Sequence, residues 1–213
     1  KIILDKNTSK NQIKVLSKIV KSIIGDSRLP MIIIDSKSTL TNSNQLSARS
    51  AGINGFRNFS TEAIFALDEN MKPNLNKISE FLNKHKNKKI IIFGFTYVIY
   101  QNFLIELKKT KKKINFSQGI IIHGGGWKKL SDLNISNQNF KKQLKKYCNI
   151  NDVHNYYGMV EQTGSIFLEC KNGNFHTSIF NDILIRNQYD FSLSKIGNEG
   201  IVQVFSLIPK SYP

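Results

Sequence analysis

Cysteine is scarce in this chain: Cys148 and Cys170 are the only two in 213 residues, and no apolar leader segment precedes them. That excludes a disulfide framework and points to a reducing compartment, with the cytoplasm as the expectation. Lys1 to Lys10 is polar, and the first residue is not Met, so the sequence reads as a piece cut from something longer. Long hydrophobic runs are missing too. The apolar stretch from Ile90 to Tyr100 spans eleven residues before Gln101 and Asn102, too short for a bilayer, so no membrane span is expected. Acidic residues are few, 15 against 31 Lys plus Arg, for a net charge of +16. Such an excess ordinarily suggests nucleic acid or an anionic membrane. The lysines, however, cluster at 84–89, 108–113 and 141–146, in or just after expected helices and without interleaved aromatic platforms. They read as solvated surface, and no nucleic-acid partner is expected. The length suffices to bury a core, roughly 70% of the unfolded surface.

What is present is an alternation of strand and helix. Asn11–Ile24 places Ile13, Leu16, Ile19, Val20 and Ile23 at helical spacing, with Gly25 as a stop. Met31–Ile34 is a continuous apolar run, the mark of a strand covered on both faces, and Asp35 closes it. Ser47–Phe56 is rich in small residues that let backbones approach closely, and its Arg49 suits an internal salt bridge or a phosphate. Leu75–Leu82 predicts a short helix, Ile90–Phe93 a buried strand, Phe95–Leu107 a helix after Gly94, and Gly119–His123 a third buried strand. Phe140–Tyr147 predicts an amphipathic helix. This pattern predicts an α/β fold, a parallel sheet with helices on both faces. After Tyr157 it changes. Ser165–Leu168, Asp182–Arg186 and Gly200–Leu207 read as strands with little helix between them, a β-rich segment.

The stretch that carries the most chemistry runs from Val153 to Cys170, V-H-N-Y-Y-G-M-V-E-Q-T-G-S-I-F-L-E-C, a strand, a turn and a strand. Tyr157 offers a flat face on which a purine can stack, Gly158 lets a ring approach the backbone, and Glu161 is a hard oxygen ligand suited to Mg²⁺ against phosphates. Ordinary strand aromatics and a solvated turn carboxylate are the competing reading of the same residues. Gly124-Gly125-Gly126, directly after the third strand, is a weak signal alone, since a tight turn needs no ligand. Cys170 and His176 resemble half of a zinc site, but a structural site needs four ligands, so no metal is expected there.

Tyr157-Gly158-Met159-Val160-Glu161 resembles the tyrosine-glycine-x-threonine-glutamate signature of adenylate-forming enzymes. Five blocks in order make the resemblance more specific: Ser47 to Phe56, Phe93 to Thr96, His123 to Leu130, Tyr157 to Cys170, and Ser211 to Pro213. They resemble the acyl-protein synthetase (LuxE-type) family over nearly the whole chain. The resemblance implies ATP and Mg²⁺ as cofactors and a fatty acid as substrate. It also implies passage of the acyl group to a cysteine thiol, with an acyl-acceptor or reductase protein as a partner. It assigns Tyr157 and Gly158 to the adenine, with Gly124, Gly125, Gly126 and Trp127 lining it, and Lys128 near phosphate. Glu161 becomes the catalytic, Mg²⁺-holding carboxylate, and Phe56, Phe93 and Phe95 candidates for the acyl wall. Cys170 is a minor candidate for the acyl acceptor, because the family places its acyl cysteine further toward the C-terminus.

Departures accompany the matches. Val160 stands where the wider superfamily has a phosphate-touching threonine. The serine-glycine-threonine phosphate loop, the ribose-binding aspartate and the lid domain with its lysine are not in these residues. The expected organisation is an α/β part over 1–157 and a β-rich continuation over 158–213 of one large domain, inactive by itself in ATP-pyrophosphate exchange. Two rivals stand beside this reading: an aryl or short-acid CoA ligase of the phenylacetate type, and a non-catalytic protein-binding domain of the same fold.

Overall fold

The computed structural model describes residues 6–41, 47–158 and 164–208, apart from the side chain of Lys129. The chain forms two compact units: residues 26–155, and residues 1–25 together with 156–213.

The first of these units is built on a parallel sheet. Strand β1 (Leu29–Ser36) is followed by the short α2 (Ser38–Thr41), α3 (Ala48–Arg57) and β2 (Ser60–Leu67), in a chain whose first helix is α1 (Lys6–Ile24). Next come α4 (Leu75–Lys84) and β3 (Ile90–Phe95). A helical run then begins as α5 (Thr96–Val98), widens to a π-helix (Ile99–Leu104) and ends as α6 (Ile105–Lys109). Strand β4 (Gly119–Gly124), a 3₁₀ turn (Lys128–Leu133), α7 (Asn137–Cys148) and β5 (Asp152–Gly158) complete the series. Strand β1 pairs in parallel with β2 on one side and β3 on the other, and β3 pairs in parallel with β4, with Phe95 opposite Gly124. Within this unit the strands run in the order β2-β1-β3-β4-β5.

The isoleucine runs form strands because both faces are covered. Ile32, Ile34, Ile90, Ile92 and Ile121 pack with Ile78 and Phe81 of α4, Phe103 and Leu107 of the long helical run, and Phe140 and Leu144 of α7. Neighbours of opposite parity turn to the other face, where Phe93 stacks on Phe56 of α3 at 4.1 Å between ring centres. Helix α3 starts at a reciprocal cap: Ser47 Oγ accepts from the Ser50 amide at 3.0 Å, and Ser50 Oγ accepts from the Ser47 amide at 3.0 Å. Strand β2 was not legible as a doubly covered run. It is an edge strand, partly exposed, and its Glu62 reaches Lys84 of α4 at 2.8 Å and His85, which caps that helix, at 3.1 Å.

In the other unit, α1 ends where Gly25 adopts φ +87° and its amide bonds back to Lys21, a turn that side chains resist. The end of β5 pairs antiparallel with β6 (Ile166–Glu169), and β6 pairs with β7 (Phe175–His176). Helix α1 meets the start of β6, where Gln12 Oε1 accepts from the Gly164 amide. Strands β8 (Asn181–Arg186) and β9 (Ile201–Ser206) form a separate two-stranded sheet. Asn181 ties it back, donating to the carbonyls of Gly164 at 2.8 Å and Ile166 at 3.2 Å.

Candidate functional site

The carboxyl ends of β3 and β4 gather the first group of sequence-predicted residues. Strand β4 ends in Gly124, and the chain then turns through Gly125 at φ +77° and Gly126 at φ +64°. A Cβ on Gly125 would come within 2.3 Å of Phe95 Cδ1, whereas a Cβ on Gly126 would meet nothing within 4 Å. The turn is therefore backed by an aromatic ring on one side and open at Gly126. Thr96 ties its base, donating to the Gly124 carbonyl at 3.1 Å and lying 2.9 Å from His123 Nδ1. Because the threonine proton goes to the carbonyl, the hydroxyl oxygen accepts from Nδ1–H, which leaves His123 Nε2 as a bare acceptor. That nitrogen is buried and has no partner among the described residues, and the ring lies edge-on to Phe140. Burial, with Lys141 and His154 adding repulsion, pushes His123 down to about 3.

Trp127 does not stand free beside the turn. It is half-buried, edge-on to Tyr100 and to Phe140. Lys128, at φ +49°, is exposed, and its Nζ lies 4.9 Å from the centre of the Tyr97 ring. The Tyr97 hydroxyl accepts from Arg49 at 3.3 Å, and Arg49 forks onto Asp35 at 2.5 and 2.6 Å. Asp35 also accepts from the Ser36 amide and from Thr39 Oγ1, both at 2.7 Å. Arg49 is thus spent on an internal ion pair, one of the two roles the sequence leaves it. Burial works against the Arg49 charge, but the hydrogen bond and the charge of Asp35 outweigh it and raise its pKa. Phe56 and Phe93 are buried against each other, and Phe95 is half-buried, edge-on to Phe93 and Tyr97.

Tyr157 and Gly158 belong to the other unit. The Tyr157 ring is 51% exposed at the end of β5, leaning on Phe167 at 6.1 Å and on Phe175 at 6.3 Å. Its neighbour Tyr156 turns inward, and burial raises its pKa. A Cβ on Gly158 would lie 2.8 Å from the Tyr156 hydroxyl, so the glycine makes room for a side chain of its own strand. Glu161 and Val160 lie outside the described residues, as does the terminal Ser211 to Pro213.

The two cysteines differ sharply. Burial in α7 pushes Cys148 up to about 12. Cys170, in the turn between β6 and β7, is drawn down to about 7 by hydrogen bonding from the Asn174 backbone and then from His176. Among the described residues, no group of three or more His, Cys, Asp or Glu is placed to hold a metal ion. No helix among them is long and apolar enough to cross a membrane. A hollow of about 300 Å³ lined by Ser79, Leu82, Ile90, Phe116 and Gly119 opens at the amino ends of β3 and β4. That is the wrong end of the strands for Phe95 and Gly124, and α/β sheets bind ligands at their carboxyl ends.

Thr96, Tyr97 and Asp35 were missed as site-forming residues. Thr96 closes the Phe93-Gly94-Phe95-Thr96 block and Asp35 closes a buried strand, so both stood at places where a carboxyl-end role can be read.

The parallel sheet covered by helices on both faces is a fold shared with solved structures at low sequence identity. ATP-bound MatB from Rhodopseudomonas palustris superposes with a TM-score of 0.56 at 13% identity, over 92% of this chain and 35% of that one. A long-chain-fatty-acid-CoA ligase from Archaeoglobus fulgidus gives 0.56 at 10% identity, over 92% and 38%. The amide bond synthetase McbA from Marinactinospora thermotolerans gives 0.57 at 11%, over 92% and 36%. The chain spans about a third of the length of these structures. No curated protein matches the sequence. The sequence matches the family described as Acyl-protein synthetase, LuxE, over residues 1–213, and the chain belongs to that family.

Proposed function

We propose that this chain is a portion of an ATP-dependent acyl-protein synthetase that activates a long-chain fatty acid and passes it to a cysteine thiol. The observation that carries the reading is the half-exposed Tyr157 ring at the carboxyl end of β5. Half of its surface is open to solvent at a strand end, within the stretch that resembles the family signature. The family membership and the ATP held by one structural relative support it.

On this reading the fatty-acid carboxylate attacks the α-phosphorus of ATP, the bond to pyrophosphate breaks, and an acyl-adenylate forms. A cysteine thiolate then attacks the acyl carbonyl and AMP leaves. Tyr157 stacks the adenine, an interaction of about 1 to 3 kcal/mol per stacked base. The resemblance assigns Gly124, Gly125, Gly126 and Trp127 to the nucleotide, and the turn they form is open at Gly126. Lys128 lies near phosphate, and Phe56 and Phe93 mark the acyl side. Glu161 would hold Mg²⁺, which would neutralise phosphate charge there. The Mg²⁺ assignment rests on the resemblance. In the longer protein the two parts, 1–157 and 158–213, belong to one large domain, with the phosphate loop and the lid supplied by other residues. A cytoplasmic enzyme with an acyl-acceptor or reductase partner fits this chemistry.

The test is ATP-pyrophosphate exchange by the complete gene product against a panel of carboxylic acids. The expected result is strongest exchange with a long-chain acid, abolished by Glu161→Gln. Preference for an aryl or short acid with CoA as acceptor would replace this reading with a CoA ligase. No exchange, with Glu161→Gln indistinguishable, would leave a binding domain.

A further inference from the structure

The glycine turn after β4 has two sides, and only one of them is free. Gly126 faces open space, but the direction in which Gly125 lacks a side chain is filled by Phe95, whose Cδ1 and Cε1 lie 2.3 and 2.8 Å from where a Cβ would be. The far edge of the same ring meets a second glycine. A Cβ on Gly52, in α3, would lie 3.1 Å from Phe95 Cζ. Phe95 is thus a wedge between α3 and the turn, admitted by a missing side chain at each edge.

The wedge is held on its own strand. Its ring is edge-on to Phe93, which is stacked on Phe56, and edge-on to Tyr97, whose hydroxyl accepts from the Asp35-bound Arg49. The β3–β4 register sets Phe95 opposite Gly124, and Thr96 bonds the Gly124 carbonyl. The base of the turn is fixed by a hydrogen bond, and its next residue is backed by the Phe95 ring.

We propose that Phe95 is a positioning residue for the nucleotide: through Gly125 it sets the height of the Gly125–Gly126 segment against the adenine, and it does not serve as acyl wall. This rests on the reading given under Proposed function. Without the ring the segment has no backing on that side, and its left-handed backbone settles into the space left behind. An ångström of drift in a binding segment is enough to cost one to two orders of magnitude in rate.

The experiment is a double-mutant cycle in the complete gene product, with Phe95→Ala, Gly125→Ala and both together, and Phe95→Leu as a milder variant should Phe95→Ala not fold. Exchange kinetics and thermal unfolding are read for each. Phe95→Ala is expected to raise KM for ATP roughly tenfold while KM for the acid changes less than about twofold, with Phe95→Leu between. The pair is expected to lose less than the sum of its parts, because the new Cβ at position 125 enters the space the ring vacates. A rise confined to KM for the acid, or coupling in unfolding with no change in KM for ATP, overturns the positioning role. Additive effects overturn the wedge itself. Failure of the unmutated protein to exchange is a separate result, and counts against the proposed function before any variant is made.

Discussion

Lowering the pH from about 7.5 to about 5 should weaken the unit of residues 26–155 through a single buried imidazole. His123 is fully enclosed, its Nδ1 is committed to Thr96, and its Nε2 has no partner among the described residues and an aromatic ring for a neighbour. A proton at Nε2 would place an unpaired N–H⁺ in apolar packing, with Lys141 of α7 and His154 of β5 repelling it. The folded value is about 3 against 6.5 for the free side chain. Between those values the unfolded chain binds a proton that the folded chain refuses. The stabilisation is therefore fully present above 6.5 and drains away as the pH falls toward 3. At about pH 5 the unfolded form gains one and a half units of protonation free energy, which at 1.36 kcal/mol per unit is about 2 kcal/mol lost. Urea unfolding of the wild type and of His123→Asn, which retains a donor near Nδ1 but cannot titrate, measures this directly. The wild type should lose about 2 kcal/mol more than the variant between the two pH values. Parallel pH profiles for the two proteins would refute the reasoning, since the other titrating groups are common to both.

Three further outcomes are expected. Tyr157→Ala in the complete protein should weaken ATP binding by about 1 to 3 kcal/mol, read as a rise in KM for ATP, with little effect on unfolding because the ring is half in water. Arg49→Ala should destabilise by about 3 kcal/mol in urea, because it strands the buried Asp35 carboxylate. Arg49→Ala paired with Asp35→Asn should recover part of that loss, and equal midpoints for single and double variants would contradict the pairing. Iodoacetamide should alkylate Cys170 of the folded chain at about neutral pH and spare Cys148. His176→Ala should slow the reaction at pH 7 by raising the thiol's pKa, as peptide mass spectrometry would report.

Much of this protein could be read from the order of its residues. The isoleucine runs at Met31–Ile34, Ile90–Phe93 and Gly119–Ile122 are strands because a stretch with no polar residue has to be covered on both faces. Helical periodicity located α1, α4 and α7, since one apolar stripe per helix is what a sheet face accepts. The tyrosine-glycine motif placed Tyr157 at a strand end, where side chains leave the packed layer. What linear order could not reveal is pairing. Strand β2 carries polar residues because it is an edge, and edges are defined by which neighbour is absent. Arg49 had a salt bridge and a phosphate open to it until the fold brought Asp35 within 2.5 Å. Gly125 read as space for a ligand, and only packing showed that Phe95 occupies it. Periodicity is a local property set by each residue's own burial. The partner across a contact is chosen by the whole chain at once, and so it was decided by the tertiary structure.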